Sequence, residues 1–391
     1  MSIILSLLDQ DFYKLSMQQI VLHQFSSFNV KYRFKCRNKG VIFTDTMFNR
    51  IRKEAEHFST LRTTPEELSY LKTIRFLKPS YIEFLKLYQP SLEHVEIGLK
   101  DSGELDITIE GPWFSTIYWE VPLLAIVNEV YMEEIYKLSE KQIEGYLDTT
   151  ERKLQIAKEN RFKFSDFGTR RRFSRDIQEA MIKLLRYNKD IEAREFFTGT
   201  SNVYFAMKYK TGIIGTMAHE FICAGQGCDD VTLANSQKYM LQKWVDEYRG
   251  DLGIALSDTL GIDKFLKDFD PYFAKLYDGV RHDSGDPFEW GEKMIKHYEK
   301  FKIDPKTKTL VFSDGLTFEK AAGLQKVFGP RAKVAFGIGT NLTNDIEGCE
   351  ALQMVIKMVE CNGRPVAKLS DSPGKLMCEN QEFINYLKSI I

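Results

Sequence analysis

The stretch Leu276-Tyr277-Asp278-Gly279-Val280-Arg281-His282-Asp283-Ser284-Gly285-Asp286-Pro287 contains the strand–loop–helix unit on which most of this chain is built. Leu276 to Val280 reads as a short β-strand. The chain then breaks into a polar loop, and Gly285 and Pro287 stop any continuing strand. Pro287 to Phe301 reads as a helix. Taken alone, the loop also reads as a solvated turn. Its residue types suit more than that: backbone N–H groups and the Arg281 fork match an oxygen-rich ligand, and the carboxylates match sugar hydroxyls or a metal ion.

Outward from this unit the same alternation recurs. Helix-like segments are Lys141 to Glu159, Ser174 to Tyr187, Leu233 to Arg249, Pro287 to Phe301 and Thr317 to Val327. Between them lie β-rich runs: Phe162 to Phe167, Glu195 to Thr200, Ile213 to Ala218, Gly253 to Leu256, Leu276 to Arg281, Thr309 to Phe312, Lys333 to Phe336 and Met354 to Val359. Strand, loop and helix repeated about eight times predict a parallel α/β architecture, and the count suits a closed barrel. An open doubly wound sheet is the alternative. There is no sequence repeat.

The N-terminal part is different. Leu7 to Phe25 reads as a helix with Asp9 or Asp11 in its first turn, where the helix dipole favours an acid. Asn29 to Cys36 alternates as a strand. Thr64-Pro65-Glu66-Glu67 and Pro79-Ser80-Tyr81 open helices. His94 to Leu99 and Leu105 to Gly111 read as strands joined by Asp101-Ser102-Gly103. Pro112 to Tyr136 is long and apolar, suited to burial at a domain joint. The expected division is an N-terminal α/β domain over 1–137 and a barrel carrying the active site over 138–350. Residues 351–391 would supply the last barrel strand and a tail packing back on the N-terminal domain.

Composition limits the function. The chain has 391 residues, 54 basic against 55 acidic, net charge −1, so any anion site is local and nothing suggests nucleic acid or an anionic membrane. Met1 to Leu8 lacks a signal peptide's positive start and cleavage site. The apolar run Val121 to Val127 is too short to span a bilayer. Six scattered Cys without CxxC suit free thiols in a reducing cytoplasm.

The polar motifs fall at the C-terminal ends of the predicted strands: Asp166 to Arg172, Thr198 to Asn202, Gly215 to Glu220, Arg281 to Pro287, Ser313 to Gly315 and Gly337 to Asn341. In a parallel barrel that face gathers loops onto one ligand. Gly337, Gly339 and the Thr340 hydroxyl suit a phosphate cradle. Leu342 stands where a dinucleotide fingerprint needs its third glycine. Ser372-Pro373-Gly374-Lys375 is no nucleotide P-loop either, since Leu369 and Leu376 replace its first glycine and its Ser/Thr. Phe167 beside Gly168 can stack a flat ring or fill the core. Arg170 can reach an acidic substituent or lie on a solvated face. His219 reads as an exposed imidazole at the ligand face, usable as base or nucleophile, or as a core histidine. Cys223 and Cys228 follow it without the paired spacing of a zinc site.

In this order along nearly the whole chain, Asp9 to Met17, Tyr32 to Arg37, Phe164 to Arg172, Gly199 to Asn202, Gly215 to Glu220, Arg281 to Pro287, Phe312 to Leu316, Phe336 to Asp345 and Lys368 to Lys375 resemble the bacterial nicotinate phosphoribosyltransferase family. The resemblance implies the fold: an irregular α/β barrel of the type II phosphoribosyltransferases beside an N-terminal open-faced α/β domain joined by the C-terminal tail. It implies a cytoplasmic homodimer with shared active sites. Its reaction would join nicotinate to phosphoribosyl pyrophosphate, giving nicotinate mononucleotide and pyrophosphate, with ATP as co-substrate, Mg²⁺ as cofactor and a phosphorylated histidine as the coupling device.

Carried over by residue, His219 resembles the phosphohistidine, Phe167 the base-stacking aromatic, and Tyr13 its partner on the other face. Asp11 and Tyr13 would come from the neighbouring subunit. Arg170 resembles the contact to the ring carboxylate. Arg281, Asp283 and Ser284 resemble the ribose and phosphate contacts, and Asp314, Gly315, Gly337, Gly339 and Thr340 the rest of the cradle. Ser201 stands where nicotinamide-using relatives look to have Asp, so it favours the acid. The rival readings are an enzyme for the amide, a phosphosugar aldolase or decarboxylase using Lys368, and a non-catalytic sensor.

Overall fold

Two β-sheets organise the chain. The computed structural model describes residues 2–372, 375–376 and 378–391, so Pro373 and Gly374 of the rejected P-loop reading, and Met1, lie outside the described residues. In chain order the strands are β1 (Asn29–Cys36), β2 (Val95–Leu99), β3 (Leu105–Pro112), β4 (Phe164–Asp166), β5 (Phe197–Thr200) and β6 (Gly212–Ile213). They continue as β7 (Ile254–Leu256), β8 (Gly279–His282), β9 (Thr309–Phe312), β10 (Lys333–Ile338), β11 (Met354–Cys361) and β12 (Arg364–Pro365).

Seven strands form the parallel sheet of the irregular α/β barrel, in the order β6-β5-β4-β10-β9-β8-β7. The curled sheet stays open, because its edge strands β6 and β7 do not pair with each other. The expected eighth barrel strand is a correction. Met354–Cys361 runs antiparallel to β1, from Val30 opposite Cys361 to Cys36 opposite Met354. It belongs to a five-stranded sheet ordered β12-β11-β1-β3-β2. The reason is partner geometry: a strand buried over most of its length needs a full-length neighbour, and β1 offers eight residues of alternating side chains. That sheet is the open-faced N-terminal layer, completed by the C-terminal part of the chain.

Local chemistry explains the element ends. The Thr64 side chain accepts from the Glu67 N–H while Glu67 reaches back, a capping box with Pro65 at the first position. Asp286 caps Pro287–Lys300 through the N–H groups of Phe288 and Glu289. The strand expected from Leu276 begins at Gly279, because Pro271–Leu276 is a helix capped by Asp270. The first helix is Phe12–Gln24; Asp11 sits at its N-cap but makes no side-chain cap, being turned toward Ser201. Glu120–Ile135, from the apolar stretch, is buried over most of its length and packs against the helix Asp45–Ser59, the turn Thr169–Arg171 and β11. Of the tail expected to pack back on the N-terminal domain, the helix Gln381–Ile390 docks instead through Ile384 and Leu387 onto Leu260, Ala367 and Leu369, which bury its apolar face. Among the described residues, no helix is long and apolar enough to cross a membrane.

Candidate active site

A cavity of about 440 Å³ opens over the C-terminal ends of the parallel strands. Of the residues predicted from sequence, Asp11, Tyr13, Phe167, Arg170, Ser201, His219, Arg281, Asp283, Asp314, Gly315, Gly339 and Thr340 line it. Two do not. Ser284 is buried behind the wall, donating to Asp258 Oδ2 at 2.6 Å. Gly337 lies beneath Phe167: a β-carbon there would run into the aromatic ring, so this glycine seats the ring and is no part of an anion cradle.

One end of the cavity is aromatic and charged. Phe167 follows β4, and Tyr13 lies in the first turn of Phe12–Gln24. Both reach the cavity of their own chain, together with Asp11, which corrects the expectation that Asp11 and Tyr13 come from a neighbour. The tie is local: Phe12 N–H donates to Ser201 O at 2.7 Å, and Ser201 Oγ donates to Asp11 Oδ1 at 2.6 Å. Arg170 is 3.3 Å from Glu120 Oε1. Burial opposes its charge, but Tyr13, Glu120 and Asp11 keep it cationic. Burial also opposes charge on Glu120, yet Lys14, Lys357 and Arg170 hold its pKa down at about 2. The fully buried Lys14 bridges Glu120 at 2.7 Å and Glu220 at 2.5 Å.

This end is held from behind. Arg172 is wholly buried, not solvated, and its Nη atoms reach the Asp9 carboxylate at 2.7 and 3.1 Å. Asn202 donates to the same carboxylate at 2.7 Å. Asp166 accepts from Gly168 N, Gln178 Nε2 and Thr200 Oγ1 at 2.7 to 2.8 Å. The loops after β4 and β5 and the chain before the first helix are thus one hydrogen-bonded block.

The middle of the cavity is a charge cluster. His219 is 5 % exposed, so the exposed imidazole expected from sequence is instead a buried ring touching the cavity along one edge. Its Nε2 is 2.8 Å from Asp258 Oδ1 and 3.5 Å from Asp283 Oδ2. Lys368 Nζ lies 2.9 Å from Asp258 Oδ2 and 3.9 Å from Asp283 Oδ2. Burial and Lys368 push the His219 pKa down to about 4 against the pull of Asp258, so the ring is neutral at pH 7. With Nε2–H donated to the carboxylate, Nδ1 carries the lone pair. Burial opposes charge on Asp283, but His219, Lys368 and Arg281 hold its pKa at about 2. The acid- and histidine-rich group able to surround a cation is His219, Asp258 and Asp283, not His219 with Cys223 and Cys228.

The far end is cationic. Among the described residues Arg281 Nε is buried without a partner, and Asp314 is paired with Lys375 at 2.5 Å. Arg37, Arg171 and Lys357 add further cations to the cavity lining, Lys357 within electrostatic reach of Glu120 and Arg170 at the ring end. Burial takes the Lys357 pKa down to about 8. A chain of net charge −1 therefore concentrates cations here, as a ligand rich in anionic oxygens requires.

Sequence reasoning missed Asp258, Glu120, Lys357 and Lys375, and used Lys368 only for a rival enzyme class. The signals were available. Leu256-Ser257-Asp258-Thr259 is a polar strand end like the other six, Glu120 is an acid entering a long apolar stretch, and Lys357 interrupts an apolar strand.

Residues 162–390 match the model of the nicotinate phosphoribosyltransferase (NAPRTase) family, and residues 8–128 match that family's N-terminal domain. A nicotinate phosphoribosyltransferase of Ralstonia nicotianae is 49% identical over 392 residues, 99% of each chain. The solved nicotinate phosphoribosyltransferase of Vibrio cholerae superposes with a TM-score of 0.93 at 39% identity, covering 100% of this chain and 94% of that one. That of Porphyromonas gingivalis gives 0.93 at 34%, covering 99% and 100%.

Proposed function

The chain belongs to the nicotinate phosphoribosyltransferase family, and from that premise we propose how its cavity carries out the transfer. The activity is the joining of nicotinate to phosphoribosyl pyrophosphate, giving nicotinate mononucleotide and pyrophosphate in NAD salvage. The observation that carries the reading is one cavity that gathers three chemistries: an aromatic pair with an arginine, a carboxylate–histidine cluster, and a set of cations.

Phe167 and Tyr13 hold the pyridine ring and fix its angle of attack. Arg170 meets the ring carboxylate. The ring nitrogen attacks C1′ as the bond from C1′ to pyrophosphate breaks, and the sugar becomes oxocarbenium-like. Asp283 stabilises that positive charge, and Arg281, whose Nε has no partner among the described residues, takes the departing negative charge. Gly315, Gly339 and Thr340 hold the sugar phosphate. Ser284 acts one layer back, by fixing Asp258.

Mg²⁺ fits the carboxylates that face the cavity. Both Asp258 oxygens are taken by His219, Lys368 and Ser284, whereas Asp283 and Asp314 are 25% and 30% exposed on the cavity. Those two would hold the ion, which neutralises phosphate charge when bound.

His219 is the coupling residue. Its Nδ1 takes the γ-phosphoryl of ATP, ADP leaves, and the phosphoryl passes to water each turnover. The neutral ring and the Asp258 bond to Nε2 support that role. The enzyme acts as a homodimer, on the strength of the family resemblance. The six free thiols support a reducing, cytoplasmic setting.

One experiment tests the whole reading: labelled nicotinate and phosphoribosyl pyrophosphate with and without ATP, for wild type and His219→Ala. Wild type forms labelled mononucleotide faster with ATP. His219→Ala retains slow synthesis that ATP no longer accelerates. Phosphate found on another residue of the wild type, with His219 unlabelled, removes the assignment.

A further inference from the structure

The hydroxyl at the ring end is already committed. Ser201 Oγ donates to Asp11 Oδ1 at 2.6 Å, and the two residues are 3% and 2% exposed. A serine hydroxyl has one proton, so while Asp11 is ionised Ser201 offers a ligand only lone pairs. A ring carboxylate is also acceptor-only. Placed against this pair it meets oxygen facing oxygen, with the Asp11 charge behind, although Arg170 attracts it. An amide would meet the same oxygens with its own N–H donors. As it stands, the pair is therefore polarised for the wrong ligand.

One added proton reverses this. Protonated Asp11 donates to Ser201 Oγ, and the hydroxyl turns to donate to the ring acid. We infer that Asp11 is a specificity-determining residue that takes up a proton from solvent when the ring acid binds, making the Asp11–Ser201 pair a donor relay. The inference rests on reading this end of the cavity as the ring-acid end. The ionisable groups facing Asp11 are Tyr13 on its own helix, Arg170 and Asp166 from the β4 strand and loop, and Glu120 from Glu120–Ile135. Burial, the largest influence, and Glu120 raise the Asp11 pKa, against Ser201, Arg170 and the nearby Tyr13 hydroxyl. Tyr13 Oη, buried without a hydrogen-bond partner among the described residues, is a further polar atom at this end.

The test is the pH profile of the nicotinate KM at saturating phosphoribosyl pyrophosphate, between about pH 6 and 9, where nicotinate stays ionised. Only the protonated pair binds the acid. Above the pKa of the free Asp11 the KM rises, approaching about tenfold per pH unit, while kcat does not follow it. The inhibition constant of nicotinamide does not rise. Glu220, held near 7 by burial, and Lys357, near 8, titrate in the same window, so the variant Asp11→Asn separates them. Its amide donates to Ser201 at every pH, and the nicotinate profile flattens. A flat wild-type profile overturns the inference without any variant, as does an unchanged slope in Asp11→Asn. Should Asp11→Asn not fold, Ser201→Ala, which breaks the relay, must flatten the profile instead. Arg170→Gln separates the two levels. If it raises the nicotinate KM while the slope survives Asp11→Asn, the ring-acid site stands and the relay falls. If neither variant changes the nicotinate KM, the reading of this end falls.

Discussion

Asp258 fixes which nitrogen of His219 is free to react. Its carboxylate accepts from Nε2, leaving the lone pair on Nδ1. Asp258→Asn can present an N–H to Nε2, which moves the ring proton to Nδ1 and removes the nucleophile. ATP-stimulated turnover should fall by about 10²-fold or more, with the ATP-independent rate less affected, as read by product formation with and without ATP. Ser201→Asp acts at the other end. Two like charges about 4 Å apart cost on the order of 4 kcal/mol at an effective dielectric near 20, so the nicotinate kcat/KM should fall by nearly three orders of magnitude while nicotinamide gains. Unchanged constants for both substrates would count against it. At this scale the sequence was legible where a side chain lies at a strand end or in the segment that follows it, as Arg281, Phe167 and His219 do. It misled where a residue of the right type faces away from the cavity. Ser284, in the loop after β8, turns onto Asp258, and Gly337, inside β10, lies beneath a ring.

The loop after β4 is the element that sets the ring end, and Arg172 anchors it. With Arg172 and Asp9 both almost fully buried, removing the guanidinium leaves a buried carboxylate short of its main partner. Arg172→Met should cost about 3–5 kcal/mol in urea unfolding and raise the nicotinate KM through a loosened Arg170. Adding Asp9→Asn should restore part of the lost stability, since the pair is coupled; additive effects would show the anchor to be no unit. The strands themselves were legible from apolar runs between loops: β1 and β9 have the bounds expected of them. Partnership was not. Met354–Cys361 has the apolar character of a parallel barrel strand, and only the register with β1 places it in the other sheet. Periodicity reports which faces are buried and is silent on what buries them.

For the whole molecule, the cavity and its supports place ionisable groups in the interior, and this makes stability depend on pH in a definite direction. Burial raises Glu129 to about 8 and Glu220 to about 7 from ordinary values near 4.5, and Asp166 to about 6 from 3.8. Between its unfolded and folded pKa, each such acid binds more protons folded than unfolded, so stability falls as pH rises through that interval. His219 works the other way. Its folded pKa of about 4 lies below the unfolded 6.5, so the folded state binds fewer protons and stability rises with pH from 4 to 6.5. Above pH 6.5 that compensation is complete while Glu129 is still titrating. From pH 6.5 to 8 it alone removes about 1.4 kcal/mol of stability per pH unit, tapering near 8. The midpoint of urea unfolding should therefore decline over this window. Glu129→Gln should reduce the decline, because the amide oxygen can still accept the Arg175 N–H bond at 2.9 Å and carries no proton to lose. A midpoint that rises from pH 6.5 to 8 in wild type, or a decline equally steep in Glu129→Gln, would mean that the carboxyl is ionised in the fold and that Arg172 and Arg175 hold it as a charge.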